Sequence, residues 1–424
     1  MQSISFFYDS DVLMCESVSL PVVAEQFGTP LYVYSKRALI ENCLAMEQAF
    51  EGFPHLTTYA VKANSNIHLL KLIADQGLGA DVGSKGELFL ALKAGFLPPK
   101  ISFSGVGKRD DEIEYALQQD ILAFNVESEQ EIEVLNVIAG RLGKRARILL
   151  RLNLDIDAGT HAYTSTSRKQ NKFGVASGKA GGVLKRAQQL QHIDIRGIHS
   201  HIGSQITNVD SFVTAASALS KLIAEFREQG IPIHDLDFGG GYGIQYHGFI
   251  THPQIPFEKP EAKHVSPATF IGTVLPYLKE TGCNISIQPG RSIIANAGVL
   301  LTKVLYRKEA EEKTFVIVDG GMNDLIRPSL YQAHHQIVPL KLKDAKFERV
   351  DVVGPCCESG DFFAQDRALS QVERGDYLSL MCAGAYGYVL SSNYNARLRP
   401  AEVLVDGKNV TLIRDREELE ELMD

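Results

Sequence analysis

The sequence predicts an α/β fold: a (β/α)8 TIM-type barrel joined to a second, mostly β domain of sandwich or barrel-like build. Three observations carry this. Between about Leu31 and Asn296, eight short apolar runs alternate with helix-period segments, which is the strand and helix count of such a barrel. From Ala297 that rhythm gives way to short β-rich segments separated by turns. No early G-x-G-x-x-G follows the first run, so a doubly wound open sheet fits less well.

The barrel strands are expected at 56–61, 78–82, 101–105, 121–126, 147–153, 195–202, 236–238 and 285–288. Each is an apolar, β-branched or aromatic run short enough for a buried strand. Helix-period segments lie between them at 68–76, 85–94, 109–117, 129–142, 180–189, 211–228 and 267–280. The stretch 253–264 is rich in proline and charge and reads as a surface excursion. Beyond 297, strands are expected at 299–305, 314–318, 337–340, 349–353, 376–380 and 399–405, with a helical stretch at 416–423. The N-terminal residues precede the first barrel helix and go with the β domain. The expected division is therefore 32–296 for the barrel, and 1–31 with 297–424 for the β domain.

Composition narrows the class. The chain has 424 residues, 45% hydrophobic and 22% charged, which is ordinary for a soluble globular protein of two domains or one large one. Its net charge of −8, with no dense basic cluster, argues against nucleic acid as a partner. The start, Met1 to Asp9, has no basic region and carries an early acid, unlike a signal peptide. No apolar run approaches ~18 residues, so no membrane span is expected. The cysteines are scattered apart from the adjacent Cys356 and Cys357, without a C-x-x-C, and a reduced, cytoplasmic compartment is expected.

Barrels place their chemistry at the C-terminal ends of their strands. Lys62 ends the first run in Thr57-Thr58-Tyr59-Ala60-Val61-Lys62-Ala63-Asn64. A lysine held there with little water is easily neutralised, as an imine requires. Taken alone, a lysine that snorkels from a strand end is the commoner case. Three further segments at equivalent strand ends change that balance. The sixth strand ends in Gly197-Ile198-His199-Ser200-His201-Ile202-Gly203-Ser204, the seventh in Gly239-Gly240-Gly241-Tyr242-Gly243, and the eighth in Gln288-Pro289-Gly290-Arg291. Glycines so dense let backbone N–H groups approach an anion, and barrels often bind phosphate after strands seven and eight. A flexible turn is the alternative. His201 is either a core histidine satisfied by backbone groups or a ring stacked on a planar cofactor. Ser204 is close enough to add a hydroxyl to a phosphate site. A Schiff-base lysine, a phosphate cradle and a stacking ring together suggest pyridoxal phosphate.

With these segments, and with Gly354-Pro355-Cys356-Cys357-Glu358-Ser359-Gly360-Asp361 and Gly384-Ala385-Tyr386-Gly387, the chain resembles the barrel-fold pyridoxal-phosphate-dependent decarboxylases. Within them it is most similar to the bacterial diaminopimelate decarboxylases, over nearly its whole length. The most specific element is the likeness to the family's C-E-S-x-D motif. The resemblance implies that Lys62 holds the cofactor as an imine and that His201 stacks on its ring. It implies that Ser204, Gly239, Gly240, Gly241, Gly290 and Arg291 bind phosphate. Asp81, Arg151 and Tyr386 match residues around the cofactor, and Arg291, Arg327, Tyr331, Glu358 and Tyr386 match substrate-binding residues. Guanidinium forks suit the two carboxylates of meso-diaminopimelate. Cys357 is implied as the proton donor to Cα, with L-lysine and carbon dioxide as products. Cys357 and Glu358 are implied to complete the site of the neighbouring subunit in a homodimer. Two adjacent cysteines cannot face one side of an extended segment. One of them is therefore packing, and the motif selects Cys357 as the chemical one.

The chain departs from this pattern at Gln288, where the family has a glutamate that pairs with the ring nitrogen. A neutral amide offers less stabilisation to a protonated ring, and a glutamate there is expected to deepen the electron sink. A minor departure is Ser167, where glycine is common. Other readings remain. One is a decarboxylase of the same group acting on ornithine, arginine or a carboxylated polyamine, which needs no clamp like Arg327 and Glu358. Another is a racemase on a similar barrel, which would need a tyrosine base on the β domain and no Cys357-Glu358 pair. A third is a silent homologue that binds or regulates an active enzyme, favoured by Gln288 alone.

Overall fold

The structure, a computed structural model, describes residues 5–157, 159, 170–259, 265–344 and 346–423. Ser167 and the end of the 253–264 stretch lie outside the described residues. Eight parallel strands close on themselves: His55–Ala60, Gly79–Val82, Ile101–Phe103, Ala123–Val126, Ala146–Asn153, Ile193–Ser200, Asp235–Asp237 and Asn284–Ile287. Each pairs with its successor, and the last pairs with the first through Ile285–His55 and Ile287–Thr57. The TIM-type barrel is therefore present, and the C-terminal ends of its strands share one face.

The helices between the strands follow the expected periods. Val209–Glu228 buries Phe212, Ala215, Ala216, Leu219, Ile223 and Phe226, a stripe at helical spacing. Serines cap several of the helix starts that follow strand ends. Ser84 accepts from the Glu87 N–H at 3.2 Å, and Ser128 from the Glu131 N–H at 3.2 Å. Glu131 in turn takes the Glu127 N–H at 2.7 Å, which fixes the backbone of Glu127 at the end of the fourth strand.

Contacts divide the chain into two compact units: Cys43–Gly243 with Val265–Arg291, and Met1–Asn42 with Ile244–His264 and Ser292–Asp424. The division falls later than 31/32 and earlier than 296/297. The cause is the strand Leu31–Ser35, which is buried throughout and hydrogen-bonded antiparallel to Gly298–Glu309 and parallel to Ala401–Asp406. The excursion also belongs to this unit. Glu258 is held by His334 at 3.0 Å and Arg367 at 3.2 Å.

The β unit is built around Gly298–Glu309, which also pairs with Thr314–Val318 and Tyr377–Leu380. Phe347–Val353 runs parallel to Thr314–Val318, and Ile337–Pro339 pairs with Tyr377–Leu380. Beyond residue 297 two strands were not expected, Phe362–Ser370 and Asn409–Arg414, and before the barrel neither were Phe6–Asp9, Val12–Cys15, Val18–Ser19 and Leu31–Ser35. Phe362–Ser370 and Asn409–Arg414 are dense in charged or polar residues, which masks their period. The expected helix at 416–423 is instead a short 3-10 turn, Leu419–Met423, whose residues are not buried. Among the described residues no helix is long and apolar enough to cross a membrane. All six cysteines are free.

A buried charge ties the ends of the β unit together. Glu402 is fully buried, accepting from the Tyr34 hydroxyl at 2.6 Å and from Arg414 Nε at 2.6 Å. Removing one partner strands the carboxylate. Arg414→Ala should cost about 3 kcal/mol, the low end for breaking a buried pair because Arg414 is partly exposed. Urea unfolding measures this, and Arg414→Lys should recover part of the loss.

Candidate active site

The barrel unit brings together most of the expected cofactor residues. The first strand is buried from Thr57 to Ala60, and the chain then makes a single 3-10 turn, Val61–Ala63. Val61 and Ala63 are buried while Lys62 is exposed. Lys62 was expected in a site with little water, and here it is exposed, because the turn ends the strand two residues before it. It remains beside a carboxylate. Ala60 pairs with Asp81 in the second strand, and Asp81 is 3% exposed. Burial holds the Asp81 carboxyl above its usual range. Lys62, Ser104 (2.5 Å) and Ser102 (3.2 Å) oppose that shift.

Arg151, in the fifth strand, is buried and pairs with Glu127 at 2.6 Å, and its guanidinium lies over the Phe173 ring. Glu127 also takes the Gly174 N–H at 2.7 Å. Sequence reasoning missed Glu127. The signal was the S-x-x-E capping box beginning at Ser128, which fixes the residue before it. Arg151 registers with His199 of the sixth strand. His199 was quoted but given no role. It is 1% exposed, and both ring nitrogens are buried without a hydrogen-bond partner among the described residues. Burial holds it well below the usual histidine range, aided by Arg151, His201 and Lys62, so the ring is neutral at pH 7.

His201 is half-buried, and its Nδ1 accepts the Gly240 N–H at 3.2 Å. Burial, then Lys62 and Arg151, push its basicity well below the usual range. A neutral ring with Nδ1 occupied is a suitable stacking face. The glycine loop needs its glycines for the backbone. A Cβ on Gly239, Gly240 or Gly241 would collide with the carbonyl oxygen of Ser200, Gln288 or Gly203 respectively. Its amides are partly committed. The Gly239 N–H goes to Asp237 Oδ1 at 2.9 Å and the Gly240 N–H to His201. The Gly239 and Gly240 amides that the resemblance assigns to phosphate are engaged by these partners here. Ser204 meets the turn after the eighth strand. There Arg291, 7% exposed, donates through Nη2 to Ser204 Oγ at 2.8 Å. Gly290 packs against Ala60 and Ala63, either side of Lys62. Gln288 is buried between two acids, donating to Asp237 Oδ2 at 2.7 Å and Asp81 Oδ1 at 3.1 Å. Burial and then the Asp81 charge push Asp237 up to about 7.

The remaining residues belong to the β unit. Arg327 opens the short helix Arg327–Tyr331 and is 5% exposed. It donates to His335 Nε2 at 2.8 Å, while His335 Nδ1 lies 2.8 Å from the Met381 carbonyl. His335 is therefore neutral, with its proton on Nδ1. The guanidinium also stands 4.8 Å over Tyr246. His335 was missed because it acts only through Arg327. Cys356 is buried, with Sγ 3.4 Å from Asn323 Oδ1, and burial then Asp361 push its thiol to about 11. Cys357 faces the other way and is exposed, its N–H held by Asn395 at 2.8 Å. Glu358 is exposed and accepts from the Tyr394 hydroxyl at 2.9 Å. Ser329 Oγ donates to the Gly360 carbonyl at 2.5 Å, tying the Arg327 helix to this loop. Tyr331 and Tyr386 are half-buried, and Tyr386 holds φ +55°, a conformation costly outside glycine.

The donor set fits pyridoxal phosphate. An accessible primary amine stands beside a buried carboxylate, with a neutral aromatic ring and a guanidinium–hydroxyl pair in the same barrel unit. Residues 36–295 match the family model described as pyridoxal-dependent decarboxylase, pyridoxal binding domain. Diaminopimelate decarboxylase of Aquifex aeolicus is 46% identical over 410 residues, covering 97% of this chain and 94% of that protein. The Pseudomonas aeruginosa enzyme of that name is 46% identical over 418 residues, covering 99% and 97%. Among solved structures, the Helicobacter pylori diaminopimelate decarboxylase complexed with L-lysine superposes with a TM-score of 0.88 at 39% identity, covering 95% and 98%. That of M. jannaschii, also with L-lysine, gives 0.92 at 35% identity, covering 100% and 98%. With a cofactor-domain match over more than half its length and such relatives end to end, the chain belongs to the pyridoxal-dependent decarboxylase family, in its diaminopimelate decarboxylase group.

Proposed function

We propose that the chain catalyses the pyridoxal-phosphate-dependent decarboxylation of meso-2,6-diaminopimelate to L-lysine and carbon dioxide, the last step of lysine biosynthesis. The names of its relatives, and L-lysine in two of the solved structures, support this substrate and product. The observation in this chain that carries it is Arg327. A buried guanidinium aimed by a neutral imidazole and an aromatic face keeps a charge that a second carboxylate matches. Ornithine and arginine bring no such group.

Lys62 Nζ would anchor the cofactor. Ser204, Arg291, Gly241 and Gly290 would hold its phosphate, and His201 would lie against its ring. Asp81, Arg151 and Gln288 would surround the ring, and Tyr386 would lie near both cofactor and substrate. Bound there, pyridoxal phosphate supplies the ring that accepts the electron pair left by the departing carboxylate. Arg327 and Tyr331 would grip the distant carboxylate, and Glu358 the ammonium beside it. Cys357 Sγ would deliver a proton to Cα.

The working form is a homodimer with shared sites, in which Cys357 and Glu358 serve the neighbouring subunit. Their exposure supports this, as do the hydrogen bonds from the Cys357 N–H to Asn395 and from the Tyr394 hydroxyl to Glu358. The six free cysteines favour the cytoplasm.

Lys62→Ala should lose the visible absorbance of the bound cofactor and essentially all turnover; decarboxylation at the wild-type rate would remove Lys62 from its role. Mixing inactive Lys62→Ala with inactive Cys357→Ala should restore part of the activity through hybrid dimers. No return of activity after demonstrated subunit exchange would rule out shared sites. Arg327→Ala strands a substrate carboxylate, a loss of roughly 2–5 kcal/mol for a broken desolvated pair. KM for diaminopimelate should rise by well over tenfold while cofactor affinity changes little, measured by carbon dioxide release and cofactor titration. Equal losses of both would make Arg327 structural.

A further inference from the structure

Gln288 sits just past the eighth strand with its amide nitrogen committed to two buried carboxylates, Asp237 at 2.7 Å and Asp81 at 3.1 Å. An amide has one donor end and one acceptor end. Charge settles its orientation here, because reversal would press Oε1 against two acceptor oxygens. Oε1 is therefore the end left for a further group. The rest of the cluster is largely neutral. Ser102 and Ser104 donate to Asp81, and the Asn125 amide and the Gly239 N–H donate to Asp237. The cations acting on Asp81 are Lys62 and Arg151, and on Asp237 the neighbouring charge is Asp81 itself.

We propose that Gln288 is a neutral bridge that binds Asp81 and Asp237 into one unit and leaves its carbonyl oxygen to accept a hydrogen bond from the protonated ring nitrogen of the cofactor. The negative charge that stabilises that proton then sits one layer back, shared by the coupled Asp81 and Asp237 carboxyls, and reaches the ring through a polarised amide. The inference rests on the cofactor reading above. It also reverses what position 288 suggests in the sequence alone. A glutamate there would set a third carboxylate against two buried ones, and like charges so close retain one another's protons.

The test uses holoenzyme carrying cofactor isotope-labelled at the ring nitrogen, whose magnetic resonance signal separates protonated from neutral nitrogen. The wild type should show a protonated ring, and Asp81→Asn should move the signal toward neutral. Should Asp81→Asn fail to fold, Asp237→Asn serves the same arm. Gln288→Glu is read by melting. Its new carboxyl is held above the unfolded value of ~4.3, so stability relative to wild type is lost as pH rises past that value. The melting deficit should widen from about pH 5 to about pH 8. A neutral ring nitrogen in the wild type overturns the proposal. So does a Gln288→Glu protein that melts with the wild type at every pH, or one whose single-turnover step is about tenfold faster. A wild-type protein that takes up no cofactor would defeat the functional reading instead, while the melting comparison still decides whether Gln288 bridges the two carboxylates.

Discussion

Closure of the eight-stranded barrel is the constraint on which the candidate cofactor site depends. Because every strand is parallel to its neighbours, residues distant in sequence must end on one face. Register does the rest. Pairing of Ala60 with Asp81 sets Lys62 beside a buried carboxylate, and pairing of Arg151 with His199 sets a guanidinium beside a buried neutral ring. The ladder also explains the glycine loop, whose backbone must pass within a side chain's width of the sixth- and eighth-strand ends. The loop's composition is first a packing requirement. Any anion site there is built on a geometry that packing already demands.

Electrostatics inside that ring of strand ends is arranged in pairs. Arg151 is neutralised by Glu127, while Asp81 and Asp237 are bridged by an amide. The two histidines at the end of the sixth strand, His199 within it and His201 just past it, are kept uncharged by burial beside cations. Such a site costs less to bury than unpaired charges would. Lys62 is left as an accessible amine whose charge is felt by Asp81 and by both histidines.

Much of this was legible in the sequence. Apolar runs and helical periods marked all eight barrel strands and the seven helices between them, because buried parallel strands are continuously apolar. Lys62, His201 and the glycine loop stood out as polar or special residues at strand ends. What escaped was pairwise. Glu127 and Asp237 matter through a neighbour that is far away in sequence, and His335 through Arg327 across the end of a short helix, and no local pattern names such a partner. The exposure of Lys62 escaped because one 3-10 turn sets it. The strands Phe362–Ser370 and Asn409–Arg414 escaped because their polar residues hide the alternation. Leu31–Ser35 was read as the threshold of the barrel when it is the buried middle of the other sheet.

That last strand has a consequence for synthesis. Leu31-Tyr32-Val33-Tyr34-Ser35 leaves the ribosome ahead of the barrel, yet its two ladder partners, Gly298–Glu309 and Ala401–Asp406, follow the whole barrel. Translation at about 5–20 residues per second leaves an aromatic, β-branched strand unpaired on both edges for tens of seconds. Such an edge is a template for the wrong partner, including the same strand of a neighbouring nascent chain. The newborn chain therefore has to keep this strand covered until Ala401–Asp406 has been made.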